Sequence, residues 1–172
     1  MTKVELFDDE LKMLDELAQG TIAYLVVFGV VSFFTGAYAL AVCPPVPSGQ
    51  PTFLPVLLIP TALFGFSGSA VAALTSCLDR YAIGFERENG KPFPESAKEE
   101  QGKFNRRFSR WLFVRPFLGA VIGPVFVWGL GLFVRHPEEW TATLGFTAFM
   151  GGLLAKSVVD LIKGLFKNVF KA

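Results

Sequence analysis

The sequence predicts an all-α membrane protein with four transmembrane helices in two hairpins, N-in and C-in. A cytoplasmic amphipathic helix is expected ahead of the first span, with helical extensions on spans three and four. Three observations carry this. Of 172 residues, 52% are hydrophobic and 19 are Phe, more apolar surface than a soluble domain of this length has interior to hide. The apolar residues fall in four long runs, each near the ~20 residues that cross a ~30 Å hydrocarbon core. Lys and Arg are also segregated, with eight between Arg80 and Arg110 and only Arg135 in the two short connections of the other side. The positive-inside rule then puts the middle segment and both termini in the cytoplasm. The expected location is the inner (cell) membrane, as a multi-pass protein.

Residues 1–20 read as a cytoplasmic acidic helix. Thr2 and Glu5 form a capping-box pattern, Phe7, Leu11, Leu14 and Ala18 make one apolar stripe, and Gly20 is expected to end the helix. Its acidic polar face disfavours an anionic leaflet and points to a protein partner. No cationic stretch precedes an apolar core here, so the first span is expected to serve as an uncleaved anchor. That span, residues 21–42, "TIAYLVVFGVVSFFTGAYALAV", carries no charge, and the prolines of "CPPVPSGQP" cannot continue it.

Span two covers residues 53–78 and ends in "GFSGSAVAALTSC". Gly65, Ser69 and Ala73 recur at four-residue spacing, as do Gly68, Ala72 and Ser76, which lets helix backbones approach closely. Such faces serve packing within one chain, a subunit interface or a pore lining. Residues 79–110 form the basic cytoplasmic segment. In it, "RENGKPFPE" reads as a loop, and Ser96 with Glu99 is expected to cap a helix. That helix would carry Phe104, Phe108 and Trp111 on one stripe, with Arg106, Arg107 and Arg110 on its flank.

The same helix is expected to run into span three, residues 111–134. There Pro116 and Pro124 free backbone carbonyls, while Gly119 and Gly123 make a GxxxG pattern. "RHPEEW" is a tight return, and span four occupies residues 140–160. The tail, residues 161–172, sets Leu161, Leu165, Phe166, Val169 and Phe170 against Lys163, Lys167 and Lys171, a basic amphipathic helix for the cytoplasmic surface. "GFSGSAVAALTSCLDRYAIGF" also overlays "GFTAFMGGLLAKSVVDLIKGLF", as two parallel-oriented hairpins would.

The second hairpin, about residues 111–170, resembles uncharacterised bacterial integral-membrane proteins. In those, an Arg-Pro-x-Leu-Gly span precedes a Gly-rich span and a basic amphipathic tail. The residues concerned are "RPFLGAVIG" and "GFTAFMGGLLAKSVVDLIKGLF". The chain departs from that pattern with Ala155-Lys156-Ser157, where a Ser-Glu/Arg pair is common. The resemblance implies bacterial inner-membrane placement and no particular activity.

Candidate chemistry is sparse. Cys43 and Cys77 are expected in opposite leaflets, far beyond the ~7 Å Cα limit for a disulfide, and no metal spacing exists. Cys43 is either a small interface residue or a link between subunits. His136 beside Glu138 and Glu139 reads as a hydrated turn with an acidic helix cap, or as a weak cation site. No ionisable residue falls mid-span, whereas intramembrane enzymes, proton-coupled carriers and voltage sensors need some. Neither enzymatic activity nor a cofactor is expected. Nucleic acid is an improbable partner, because the basic residues flank spans as topology signals do.

The ionisable residues that enter the membrane region, Asp79, Arg115, Lys156 and Asp160, are expected near one headgroup plane, with Arg115 paired to Asp160 or Asp79. They form either a ring of ion pairs that sets helix register or a charged vestibule or lipid-headgroup site on an oligomer axis. Arg106, Arg107, Arg110, Lys163, Lys167 and Lys171 are candidates to meet a partner or lipid headgroups. The acidic first helix is expected to dock on the basic tail or on the Arg106–Arg110 segment. The leading expectation is a small homo-oligomeric channel, pore or membrane-state sensor, using the small-residue faces for subunit contacts. The competing one is an accessory or scaffold subunit that recruits a cytoplasmic protein or a larger membrane complex.

Overall fold

The computed structural model describes residues 3–42, 55–85, 104–131 and 141–169. They form α1 (Lys3–Ala41), α2 (Pro55–Ile83), α3 (Arg106–Gly131) and α4 (Thr141–Val169). Each of the four contains a stretch long and apolar enough to cross a membrane. Among the described residues there is no strand, only an isolated bridge between Phe85 and Phe104.

α2 is the hub, packed against each of the other three helices, while α3 and α4 pack on each other and α1 leans mainly on α2. The order follows from composition. The last two-thirds of α2 is rich in Gly, Ala and Ser, whose small side chains let three neighbours approach at once. α1 carries Val, Phe and Tyr around most of its circumference and touches α2 through two glycines seven residues apart. A Cβ placed on Gly29 would lie 3.2 Å from the Ala70 Cβ, and one on Gly36 would lie 3.2 Å from the Leu63 Cβ.

Two buried clusters mark the ends of the bundle. At one, Ala18, Leu25, Ala73, Cys77, Phe104 and Leu112 join the start of α1, the end of α2 and the start of α3. At the other, Leu40, Leu57, Phe64, Val127 and Ala148 join the end of α1, the start of α2, the end of α3 and the start of α4. Between these clusters the outer surface is largely apolar: Val27, Val31, Phe34 and Tyr38 on α1, Phe117 and Val121 on α3, and Phe146 on α4 all face outward. Water would penalise such a surface and hydrocarbon would not, as expected of a multi-pass membrane protein.

Three expected boundaries are corrected. Gly20 does not end a helix; α1 runs unbroken for 39 residues, so the acidic segment and the first span are one element. Glycine weakens a helix interior by only about 1 kcal/mol relative to Ala. Leu14, Ala18, Thr21 and Leu25 form one continuous buried stripe across it, which outweighs that cost. Gly20 is exposed, and a Cβ there would meet nothing within 4 Å. Gly20→Ala is therefore expected to stabilise the chain by about 0.5–1 kcal/mol in a detergent unfolding titration.

The second correction concerns Phe104, which precedes α3. Asn105 caps that helix, its side-chain oxygen accepting from the Phe108 N–H at 2.7 Å. The Phe104 N–H donates to the Gly84 carbonyl at 2.8 Å, and Gly84 makes the turn off α2 with φ +113°. Phe104 is thereby fully buried under Phe85 and Phe108, with ring centroids 6.0 and 6.1 Å away. The expected helix cap at Ser96 and Glu99 lies outside the described residues.

Third, α2 continues past residue 78 to Ile83, carrying Asp79 on the helix. The expected helical extension of span four is present: α4 runs without interruption as far as Val169. The two segments overlaid as a repeat have different surroundings: Gly65 meets the backbones of α3 and α4, whereas a Cβ on Gly145 would strike the Phe64 ring.

Candidate functional site

The centre of the bundle is a glycine crossing. A Cβ on Gly65 would collide with the Gly119 carbonyl oxygen and lie 2.9 Å from the Gly123 Cα; a Cβ on Gly152 would collide with the Gly65 carbonyl. One on Gly68 would collide with the Phe149 carbonyl of α4. Three helices thus meet backbone to backbone at one level, leaving no axial opening there. The expected small-residue residues, Gly65, Gly68, Ser69, Ala72, Ala73, Gly119 and Gly123, are all buried within the one chain. They are not exposed to a second copy.

Next to the crossing runs a seam of hydroxyl groups. The Ser69 Oγ donates to the Arg115 carbonyl at 2.8 Å, tying α2 to α3. Between α1 and α3, the Thr21 and Ser109 oxygens lie 2.9 Å apart, both fully buried. The Thr21 hydroxyl already donates to the Leu17 carbonyl at 2.7 Å, so its single proton is committed and Ser109 is the donor across the helices. Thr21→Val keeps the shape and leaves the Ser109 donor without that acceptor. It is expected to cost about 0.6–1.5 kcal/mol in the same unfolding titration.

Arg115 is the most unusual group in the molecule. It is only 6% exposed. Its Nη1 donates to the Ser76 Oγ at 2.9 Å, and Ser76 in turn donates to the Ala72 carbonyl at 2.9 Å. Its Nε is buried without an acceptor among the described residues. Asp160 supplies a favourable charge from α4.

The expected cluster of four charges is thus brought together only in part. Arg115 feels the charge of Asp160, with a serine hydroxyl as the direct partner of the guanidinium, while Asp79, Lys156 and Asp160 are all exposed. Sequence spacing puts Ser76 on a small-residue face but does not mark it as the Arg115 partner, nor Gly152 as the third member of the crossing.

The same end carries the contacts of the acidic half of α1. Asp15 accepts from the Tyr81 hydroxyl at 2.7 Å and from the Gln19 amide at 2.8 Å. Docking through Ala18 is onto the end of α2 and the start of α3 within one chain. Arg80 lies over the Phe108 ring at 3.8 Å, a cation–π contact. Arg106, Arg107 and Arg110 are exposed on the first turns of α3. Lys163 and Lys167 fall on α4, but their side chains, together with Lys171, Cys43, His136, Glu138 and Glu139, lie outside what is described.

Apolar grooves flank the bundle among the described residues. One of about 300 Å³ lies between α1 and α2, lined in part by Val26, Phe33 and Val71. Another of about 550 Å³ lies between α2 and α3, beside Ala62, Pro124 and Trp128. Among the described residues no group of three His, Cys, Asp or Glu side chains can hold a metal ion. The chain matches no protein-family model, no curated protein and no solved structure.

Proposed function

We propose that the chain is a non-enzymatic, multi-pass membrane protein that acts as an accessory or scaffold subunit through its charged end. The observation that carries this reading is the closed crossing of Gly65, Gly119, Gly123 and Gly152, which leaves no axial path within a chain. It also withdraws the small-residue faces from any subunit contact. A conduit would have to be built between copies from bulky Val and Phe surfaces instead. The charged end, by contrast, offers Asp9, Lys12 and Glu16 on one helix and arginines on another, all exposed.

The proposal places both chain ends and this charged surface on the cytoplasmic side of an inner membrane. Its support is the excess of eight Lys and Arg between Arg80 and Arg110. Reconstituted into liposomes, the purified chain is expected to leave them tight to ions and small dyes. From mild detergent it is expected to carry a protein in fixed ratio that is lost when Asp9 and Glu16 are both changed to Lys. A homo-oligomer that makes vesicles leak, with no such companion, would overturn this reading in favour of the channel or pore.

A further inference from the structure

On α3, Arg110, Val114, Phe117, Val121, Val125 and Trp128 recur at three- and four-residue spacing and are all exposed. Arg107 extends the same outward stripe by one turn. From Arg110 to Trp128 the helix rises about 27 Å, close to the ~30 Å of a hydrocarbon core. One stripe therefore has two guanidinium groups at one boundary, an indole at the other and only apolar side chains between. Arginine and tryptophan are the anchors that collect at headgroup level.

Among the described residues neither Arg107 nor Arg110 makes a hydrogen bond or ion pair, and α3 has no acidic residue in its first turn. The nearby Asp15 carboxylate is occupied by Tyr81 and Gln19, and Arg80 is engaged with a ring. Two adjacent cations at the positive end of a helix repel each other and the helix dipole, so an anion bound between them relieves both.

We propose that Arg107 and Arg110 clamp the phosphate of an anionic phospholipid at the end of the lipid-facing stripe of α3. Guanidinium forks match phosphate oxygens two at a time. A headgroup with net negative charge is preferred over a zwitterionic one, whose own cation offsets the attraction. The proposal rests on the membrane reading, and not on whether the chain acts as scaffold or conduit.

Trp111, partly buried and next to Arg110, is the reporter. With Trp128 and Trp140 changed to Phe, the chain is reconstituted in phosphatidylcholine vesicles containing either brominated phosphatidylglycerol or brominated phosphatidylcholine. The phosphatidylglycerol probe is expected to quench Trp111 at least about twofold more strongly, an excess that shrinks as salt is raised. R107Q/R110Q is expected to bring the two probes to parity, while R107K/R110K, which keeps the charge but not the fork, retains part of the excess. Equal quenching with both arginines present, or an undiminished excess in R107Q/R110Q, overturns the clamp while the membrane reading stands. Failure of both probes to quench overturns the membrane reading, and the clamp with it.

Discussion

Gly65→Leu is expected to be the most damaging single substitution, lowering stability by about 3 kcal/mol or more in a detergent unfolding titration. Overpacking a well-filled interior ordinarily costs about 1–3 kcal/mol, because side chains can give way. At Gly65 the first atom added collides with the Gly119 carbonyl, and the Gly123 Cα is 2.9 Å away. Backbone cannot change rotamer, so α3 has to move as a body. The Gly65 carbonyl is itself against Gly152, and α4 is displaced with it. Gly129→Ala is the matched control, since a Cβ at Gly129 would meet nothing within 4 Å. It is expected to be neutral or slightly stabilising. Similar midpoints for the two variants would mean that the three helices do not meet at Gly65.

The second large effect is an asymmetry around Arg115. Ser76→Ala removes the acceptor of Nη1 from a guanidinium whose Nε already lacks one. Leaving a buried charged donor unsatisfied costs about 2–3 kcal/mol. Arg115→Met removes the charge and fills much of the same volume; replacing buried charged groups by apolar ones of similar size is often neutral or better. The double variant is then expected to be no less stable than Arg115→Met alone, so that the loss from Ser76→Ala disappears when the arginine is absent. Additive losses in this double-mutant cycle would show that the Ser76–Arg115 bond does not contribute.

What the sequence makes legible follows from which interactions are local. The four spans follow from apolar run length, and the small residues of α2 and α3 follow from their spacing, because both are properties of one helix. The third member of the crossing, Gly152, does not stand out. It sits in "FMGGLLAK", where both glycines are buried, and only the rotation of α4 about its own axis sets Gly151 against the Phe126 side chain and Gly152 against the Gly65 backbone. That rotation is set by the neighbouring helices.

Arg115 shows the same limit. Its burial at the level of Asp160 of α4 can be anticipated from depth, and acidic residues at that depth are the natural partners. The direct acceptor is instead Ser76, 39 residues away on α2, at an angle that no linear pattern encodes. Gly20 shows the opposite case. A local stop signal worth about 1 kcal/mol gave way to a buried stripe that crosses it. Phe104 left the helix because Asn105 caps it and because the Gly84 turn offers the Phe104 N–H a carbonyl.

Amide hydrogen exchange in lipid nanodiscs tests the closed, lipid-embedded bundle most directly. Residues 64–73 of α2, which surround the crossing, are expected to exchange at least as slowly as residues 26–38 of α1, whose outer face is exposed apolar surface. Faster exchange in α2 than in α1 would mean that water runs along the axis between the helices, and would contradict the closed crossing.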